Sequence, residues 1–455
     1  MKYAVKMILA VIVLLWIVIF AAGRMGRRIQ LDHDWSAPVA VAATQNAEAG
    51  GGDLYKWHDT LMLMDEQQDW LPHSVICSSS TFSIKIRKND PSNSWTQLTP
   101  EQFQGFYALY APALDPANDK IMLGGGYIES NDLHMSTVFL RMDGDDKIQV
   151  ETEKTWVNDQ ESLLGKTGTN VTLNEPAIRG LPSNRAYPTL GKGILEGPEI
   201  YIPYSLRTTT FVPPNNLSDS PFANGVFHST NSGATWQLER ISDFDGVESE
   251  MCETKDYDYL LELGQWKILS VRKPIGGSSW EKPTILTETF SSQRGGGATA
   301  EGDTVHFCWL DRRHEKWRFN YAFPYLGNYE VFYRQRKDTD PTWSKDANLS
   351  KGVLFSYWPG MSVEGKNVVV VWDGGESKPS YDVYYATSKD GGKTWARPLK
   401  ITDRAKDGFT SEHPQVALQN GIIHLLYAQG KRDPEVQARE QGSWPIYYQQ
   451  RPFPE

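Results

Sequence analysis

The eight residues Ser388-Lys389-Asp390-Gly391-Gly392-Lys393-Thr394-Trp395 follow a strand-like run, VYYAT at 383–387, and have a counterpart in Ser229-Thr230-Asn231-Ser232-Gly233-Ala234-Thr235-Trp236, which follows VFH at 226–228. The spelling has a physical logic. Asp or Asn at the third place accepts backbone N–H groups inside a turn, glycine permits positive φ, and tryptophan packs between strands. Weaker copies end at Trp95 (NDPSNSW), Trp280 (PIGGSSW) and Trp343 (KDTDPTW), with a fainter one at Trp156. The residues after Trp recur too, as Trp395-Ala396-Arg397-Pro398, Trp280-Glu281-Lys282-Pro283 and Trp35-Ser36-Ala37-Pro38. Trp35 therefore opens a strand that has no unit of its own.

Working upstream from the turn, PGMSVEGKNVVVVW at 359–372 aligns without gaps to GGATAEGDTVHFCW at 296–309 and to PQVALQNGIIHLLY at 414–427. Each reads as a hairpin of two strands, so the repeating unit is inner strand, second strand, third strand, turn, and outer strand opening with Trp. Units end at Trp95, Trp156, Trp236, Trp280, Trp343 and Trp395, and a seventh starts near Pro414 but lacks an outer strand. The orphan strand from Trp35 supplies it. A four-stranded unit that cannot bury its faces alone and recurs along the chain predicts an all-β fold, a single β-propeller closed by its own N-terminal strand. Seven blades is the expected count, with six the alternative because the units ending at Trp95 and Trp156 are the least regular.

Composition narrows the function. The chain has 455 residues, a formal net charge of −10, 22% charged and 12% aromatic residues, and three cysteines. That excludes a disordered chain and a disulfide framework, and the absence of long basic blocks argues against nucleic acid as a partner. Cys77, Cys252 and Cys308 are widely spaced, so they read as buried thiols rather than metal ligands, and no metal or cofactor is expected. Residues 7–23 (MILAVIVLLWIVIFAAG) are unbroken apolar sequence between Lys2, Lys6 and Arg24, Arg27, Arg28. This length reaches the lower bound for a membrane-spanning helix, with a cleaved secretory signal as the alternative. Residues 1–28 are accordingly expected to form a signal anchor or transmembrane segment, and 29–455 a propeller outside the cytoplasm, secreted if the signal is cleaved. Basic residues at both ends of the run leave its orientation open.

The turn residues resemble the Asp-box, or BNR-repeat, proteins, whose best-known members are the sialidases (neuraminidases), and the repeats span nearly the whole chain after the apolar run. The resemblance implies a glycan or glycoconjugate substrate, a glycoside hydrolase of exo-sialidase type and no cofactor. It also implies an arginine cluster for the substrate carboxylate, an Asp acid/base and a Tyr nucleophile paired with a Glu. The segment 253–272 (ETKDYDYLLELGQWKILSVR) looks like the family's Glu and second Arg, which makes Glu253 the base and Arg272 a substrate ligand. Asp311-Arg312-Arg313-His314 stands where the third Arg is placed, so Arg312 and Arg313 join the clamp, and Tyr357 in FSYWPGMSV resembles the nucleophile. Asp132 resembles the acid/base, with Asp65 or Asp69 in the other register. The R-I-P motif of the first Arg is missing, which leaves Arg185 or Lys56 to take its place. The four residues Glu253, Arg272, Arg312 and Tyr357 are expected to converge at the channel mouth. The alternative function is a non-catalytic propeller that binds a protein partner at the envelope.

Overall fold

The computed structural model describes residues 29–455 apart from 45–52, 71–76, 88–93, 99–103, 107–110, 130–131, 143–147, 158–185, 209–223, 243–245, 265–267, 288–295, 315–328, 354, 378–379 and 432–443. Their strands assemble into seven sheets, five of four strands and two of five. Seven blades, not six, is the architecture. The two five-stranded sheets are the same unit elaborated. In the first blade, Gln104–Phe106 adds to the third strand Cys77–Arg87. In the third, the inner strand is interrupted into Ala186–Leu190 and Ile194–Glu196, both paired with Glu199–Thr208. No helix among the described residues is long and apolar enough to cross a membrane, and the apolar run at 7–23 lies outside them.

The remaining inner strands are Asp53–Trp57, Ala111–Asp115, Gly246–Glu253, Gly296–Glu301, Tyr357–Glu364 and Phe409–Gln419. They stand side by side and run the same way. Ala298 N donates to the Glu250 carboxylate (2.8 Å) and Leu418 N to Ser362 Oγ (2.9 Å), which matches mid-strand with mid-strand. Gly365 N reaches Glu301 (3.1 Å), and Asn420 N and Gly421 N reach Glu364 (2.6 and 2.8 Å), which matches end with end. The ring therefore has an entry face, where every inner strand begins and every second strand finishes, and a turn face, which carries the inner hairpin turns and the Trp turns.

The run NVVVVW at 367–372 shows how the blades hold together. Val368, Val370 and Trp372 pack toward the fifth blade with Cys308, Tyr333 and Tyr384. Val369 and Val371 pack toward the seventh with Leu418, Leu425 and Tyr427. A strand with both faces in a blade seam must be apolar at every position, and all four valines have 0% exposure. Each contributes about 1.5–3 kcal/mol of burial.

The two best-matched turns fold alike. Ser388 Oγ accepts Gly392 N (2.8 Å), and Asp390 accepts the N–H groups of Lys393 and Thr394 (2.9 Å each) and the Thr394 hydroxyl (2.6 Å). In the other copy Ser229 Oγ accepts Gly233 N (2.9 Å), and Asn231 accepts Thr235 N and donates to Thr235 Oγ1 (both 2.8 Å). Gly392, at φ 86°, is required twice over, since a Cβ there would lie 1.9 Å from the Tyr333 hydroxyl. Trp156 departs from the pattern. It sits near the end of the outer strand Ile148–Val157, opposite Met135, rather than opening it.

Closure follows the sequence. Val39–Thr44 pairs antiparallel with Trp444–Pro452, placing Val39 opposite Tyr448 and Ala42 opposite Ile446. Ahead of it, residues 29–36 form a strap across two blades. Lys400 N donates to Gln30 O (2.9 Å), Asp32 N to Lys400 O (2.8 Å) and Ser36 N to Gln450 O (2.9 Å). The Asp32 carboxylate, 7% exposed, pairs with the equally buried Arg451 and accepts the Tyr385 hydroxyl (2.5 Å). Trp35 sets its ring edge-on to Tyr385 at 5.6 Å.

Candidate functional site: the entry rim of blades five to seven

Arg312 leaves the second strand of the fifth blade, Thr304–Asp311, at the entry face. Its guanidinium lies 4.3 Å from the Tyr329 ring centre, the Tyr329 ring is 5.3 Å from Tyr357, and Tyr357 is 5.4 Å from Tyr381. Tyr357 opens the inner strand of the sixth blade, directly opposite Asp373 on the second strand. Burial is the main force raising its phenol above the ordinary tyrosine range, with the charges of Tyr329 and Asp373 adding to it and Arg312 pulling back. The hydroxyl oxygen is closed off from solvent. A neutral, buried phenol held in an aromatic cluster is well placed to shape a pocket and poorly placed to attack.

Trp358 comes next and is 38% exposed. Its φ is +44°, and that of His413, the equivalent residue of the seventh blade, is +54°. Both precede proline, and in both strands the register slips at that point, between Tyr357 and Gly360 and between Glu412 and Gln415. A bulge re-aims a side chain at the cost of backbone strain, here of order 1–3 kcal/mol. The result is that the rings of Trp358 and His413 meet across the seam at 4.6 Å. Arg313 is committed elsewhere. It pairs with Asp311 and Asp346, reaches Thr287 (3.2 Å) and covers Phe332 (4.1 Å), which ties the blade to its own outer edge.

Glu253 and Arg272 lie at the other face. Glu253 ends the inner strand of the fourth blade opposite Asp258. Burial first, then a hydrogen bond with Glu196 and the charges of Glu196 and Asp258, push its carboxyl up to about 8. Asp258, also buried, rises to about 6 although Lys273 stands 3.5 Å away. Arg272 belongs to the third strand, Ile268–Pro274, not the second. It bonds Glu281 (2.8 Å) and the Asp338 carbonyl (3.0 Å) and lies over the Tyr257 ring (4.0 Å).

The expected convergence of four residues is thus corrected. Arg312 and Tyr357 share the entry rim, whereas Glu253 and Arg272 share the turn face, at the far end of inner strands that rise about 3.3 Å per residue. Tyr357–Glu364 has eight residues, so the two pairs stand roughly 20 Å or more apart. Lys56 is also near the turn face, where its ammonium donates to Val363 O (2.6 Å). Burial draws its pKa down while Glu301 and Glu364 draw it up. Of the other candidates, the backbone of Asp132 opens the third strand of the second blade opposite Glu129, and Arg185 lies outside the described residues. No cluster of three metal-ligating side chains occurs among the described residues. Sequence reading passed over Tyr329, Tyr381 and Trp358. A signal was present in the ring–proline pairs Trp358-Pro359 and His413-Pro414, which begin equivalent inner strands.

No protein-family model and no curated protein sequence matches the chain. Solved structures resemble it at low identity. A mutant of Trypanosoma rangeli sialidase displaying trans-sialidase activity is 9% identical, with a TM-score of 0.49, over 93% of this chain and 59% of that one. The polysaccharide lyase Uly1 is 9% identical, with a TM-score of 0.47, over 95% of both chains. The Hadza microbial sialidase Hz136 is 11% identical, with a TM-score of 0.39, over 87% of this chain and 65% of that one. The chain spans about three fifths of the length of the sialidases it resembles.

Proposed function

We propose that the protein is a membrane-tethered propeller that recognises an acidic glycan at its entry rim, with residues 7–23 as the tether. The observation that carries the site is the continuous array of Arg312, Tyr329, Tyr357 and Tyr381 beside the exposed ring of Trp358. A guanidinium held against aromatic faces is suited to a sugar carboxylate, and an exposed indole to the apolar face of a pyranose. Recognition rather than hydrolysis is supported by two features. The Tyr357 hydroxyl is buried. A base at Glu253 is several times too far from it for proton transfer, which needs about 2.6–3.2 Å.

The test is binding of the purified full chain to sialylated and uronate-containing oligosaccharides by calorimetry, alongside turnover of fluorogenic sialosides. Arg312→Ala is expected to weaken binding about tenfold or more, corresponding to a charge-assisted hydrogen bond of roughly 1.5–3 kcal/mol. Trp358→Ala should also weaken it. Equal affinity in both variants, or preference for neutral sugars, would remove the rim from the proposal. Sialoside turnover abolished by Tyr357→Phe would restore the hydrolase reading. Retention of a protein partner with no glycan bound would favour the envelope-assembly alternative.

A further inference from the structure

We propose that the seam between blades three and four is a pH-operated gate in the ring. It is shut while Glu253 and Glu196 share a proton, and it opens from the turn face as the pH rises, with the seams of blades five to seven staying shut.

Position carries the argument. Around the turn face, the last residue of an inner strand fastens its blade to the next. Glu301, ending Gly296–Glu301, accepts Gly365 N (3.1 Å) of the sixth blade, and Glu364, ending Tyr357–Glu364, accepts Asn420 N and Gly421 N (2.6 and 2.8 Å) of the seventh. Gln419, ending Phe409–Gln419, donates to His58 O (2.6 Å) of the first, and the His58 ring stands 2.7 Å from Asp119 of the second. The fourth blade holds the fifth through Lys255 N, which donates to Gly302 O (2.8 Å). Each of these links sets a donor against an acceptor. Glu196 and Glu253 occupy the same place in blades three and four, ending Ile194–Glu196 and Gly246–Glu253, but there one carboxyl meets another. Two carboxylates only accept, so this link closes with a proton between them and not without it.

The groups facing the pair, among the described residues, favour opening once that proton leaves. Asp258 lies opposite Glu253 on the second strand, buried, with one carboxyl oxygen lacking a hydrogen-bond partner. Glu199 lies opposite Glu196, and Glu199 and Glu239 take the two ring nitrogens of His228 (2.8 and 2.9 Å). Burial opposes the charge on His228, but those two carboxylates raise its pKa above the ordinary range, so this cation too is lost as pH rises. From the third strand Lys273 donates across the seam to the Tyr201 hydroxyl (2.6 Å) and lies 3.5 Å from Asp258. Lys192, Lys255 and Asp256 are exposed in the neighbouring turns, and toward the fifth blade Arg272 and Asp338 are bonded to Glu281 and Thr254. Farther in, buried Glu262 accepts the Ser242 hydroxyl (2.6 Å) of the third blade. Once Glu253 ionises, near pH 8, Glu196, Glu199, Glu239, Asp258 and Glu262 join it as carboxylates around Lys273. The apolar side chains that hold the seam against them are Ile194, Tyr201, Val226, Met251, Leu260 and Val271.

Thiol labelling of the full chain in detergent tests the gate, with Cys77→Ser as the parent, since Cys252 and Cys308 are buried. Val271→Cys places a thiol in this seam and Val370→Cys one in the seam of blades five and six, at positions 1% and 0% exposed. Each labelling rate is divided by that of the same thiol in denaturant at the same pH. Between about pH 6 and about pH 9 the ratio is expected to rise about tenfold or more at 271 and to stay constant at 370. Glu253→Gln, and equally Glu196→Gln, keeps a donor in the link at every pH and should hold the ratio at 271 down. Exchange of the Met251 amide, which crosses the seam to Lys192 O (3.0 Å), reads the same opening in the chain without added cysteines. Equal acceleration at 271 and 370 makes the change global and overturns the gate. Acceleration at 271 that survives in both glutamine variants removes the shared proton as its cause. A Met251 amide equally protected at both pH values, once corrected for intrinsic exchange, overturns the opening itself.

Discussion

Glu253 illustrates what a carboxyl does when its neighbours are carboxyls. Its pKa in the fold is about 8 against an ordinary 4.5, so the folded chain holds a proton that the unfolded chain releases. Stability from this group is complete below about pH 4.5 and is lost as pH rises through about 8. Buried Asp258 and Glu262, raised to about 6 and about 7, act in the same direction. Buried His306, held down near 4, acts in the opposite one, since its contribution is lost as pH falls from the ordinary 6.5. Melting temperature is therefore expected to fall between about pH 6.5 and 8, where His306 no longer opposes the loss, and Glu253→Gln, which keeps a hydrogen bond to Glu196 without the charge, should flatten that slope. An unchanged slope would place the titration elsewhere. Asp390 is the contrasting case. Although burial works against it, bonds from Thr394, Ser388 and Lys393 hold its carboxyl at about 2. Asp390→Ala and Asn231→Ala should each cost about 1 kcal/mol in denaturant unfolding and leave glycan affinity alone, because turn and rim lie at opposite ends of the strands.

Strands explain which parts of the sequence were readable. The Trp turn was, because its Ser, Asp and Trp act within eight contiguous residues and the hydrogen bonds are local. The hairpins at 296–309, 359–372 and 414–427 were, because alternate burial in two seams writes itself as an apolar run. The site was legible only in part. The segment 253–272 begins at the last residue of an inner strand, so taking its two following strands as first and second moves Arg272 by one strand. Neighbouring strands run in opposite directions, and a slip of one therefore exchanges entry face for turn face. Arg312 and Tyr357 escaped this because their strands were correctly ordered. At the same scale, the strap yields a prediction. Asp32→Ala leaves buried Arg451, among the described residues, with the exposed Asp34 as its one carboxylate (3.2 Å) beside the neutral Tyr385 hydroxyl (2.6 Å) and Pro452 carbonyl (2.9 Å), and should destabilise the fold by about 3 kcal/mol. A loss under 1 kcal/mol in equilibrium unfolding would show that the strap is dispensable.

The ring as a whole was announced by one unpartnered strand at the beginning of the chain and one unfinished unit at its end. That same closure sets a timetable. Val39 must find Tyr448, roughly 400 residues later in the chain. At about 5–20 residues per second of synthesis, the first strand waits on the order of 20–80 s for its partner to exist. Throughout that interval the chain carries an open strand edge, the kind of edge that recruits other chains. A permuted chain that starts at Asp53 and carries residues 29–44 after Glu455, joined by a flexible linker, removes the wait without altering the finished contacts. It should refold faster from denaturant and aggregate less while doing so, at equal final stability, which stopped-flow fluorescence and light scattering would register. The last seam to zip is then a matter of strand order, and in the native order the molecule spends its youth as an incomplete ring.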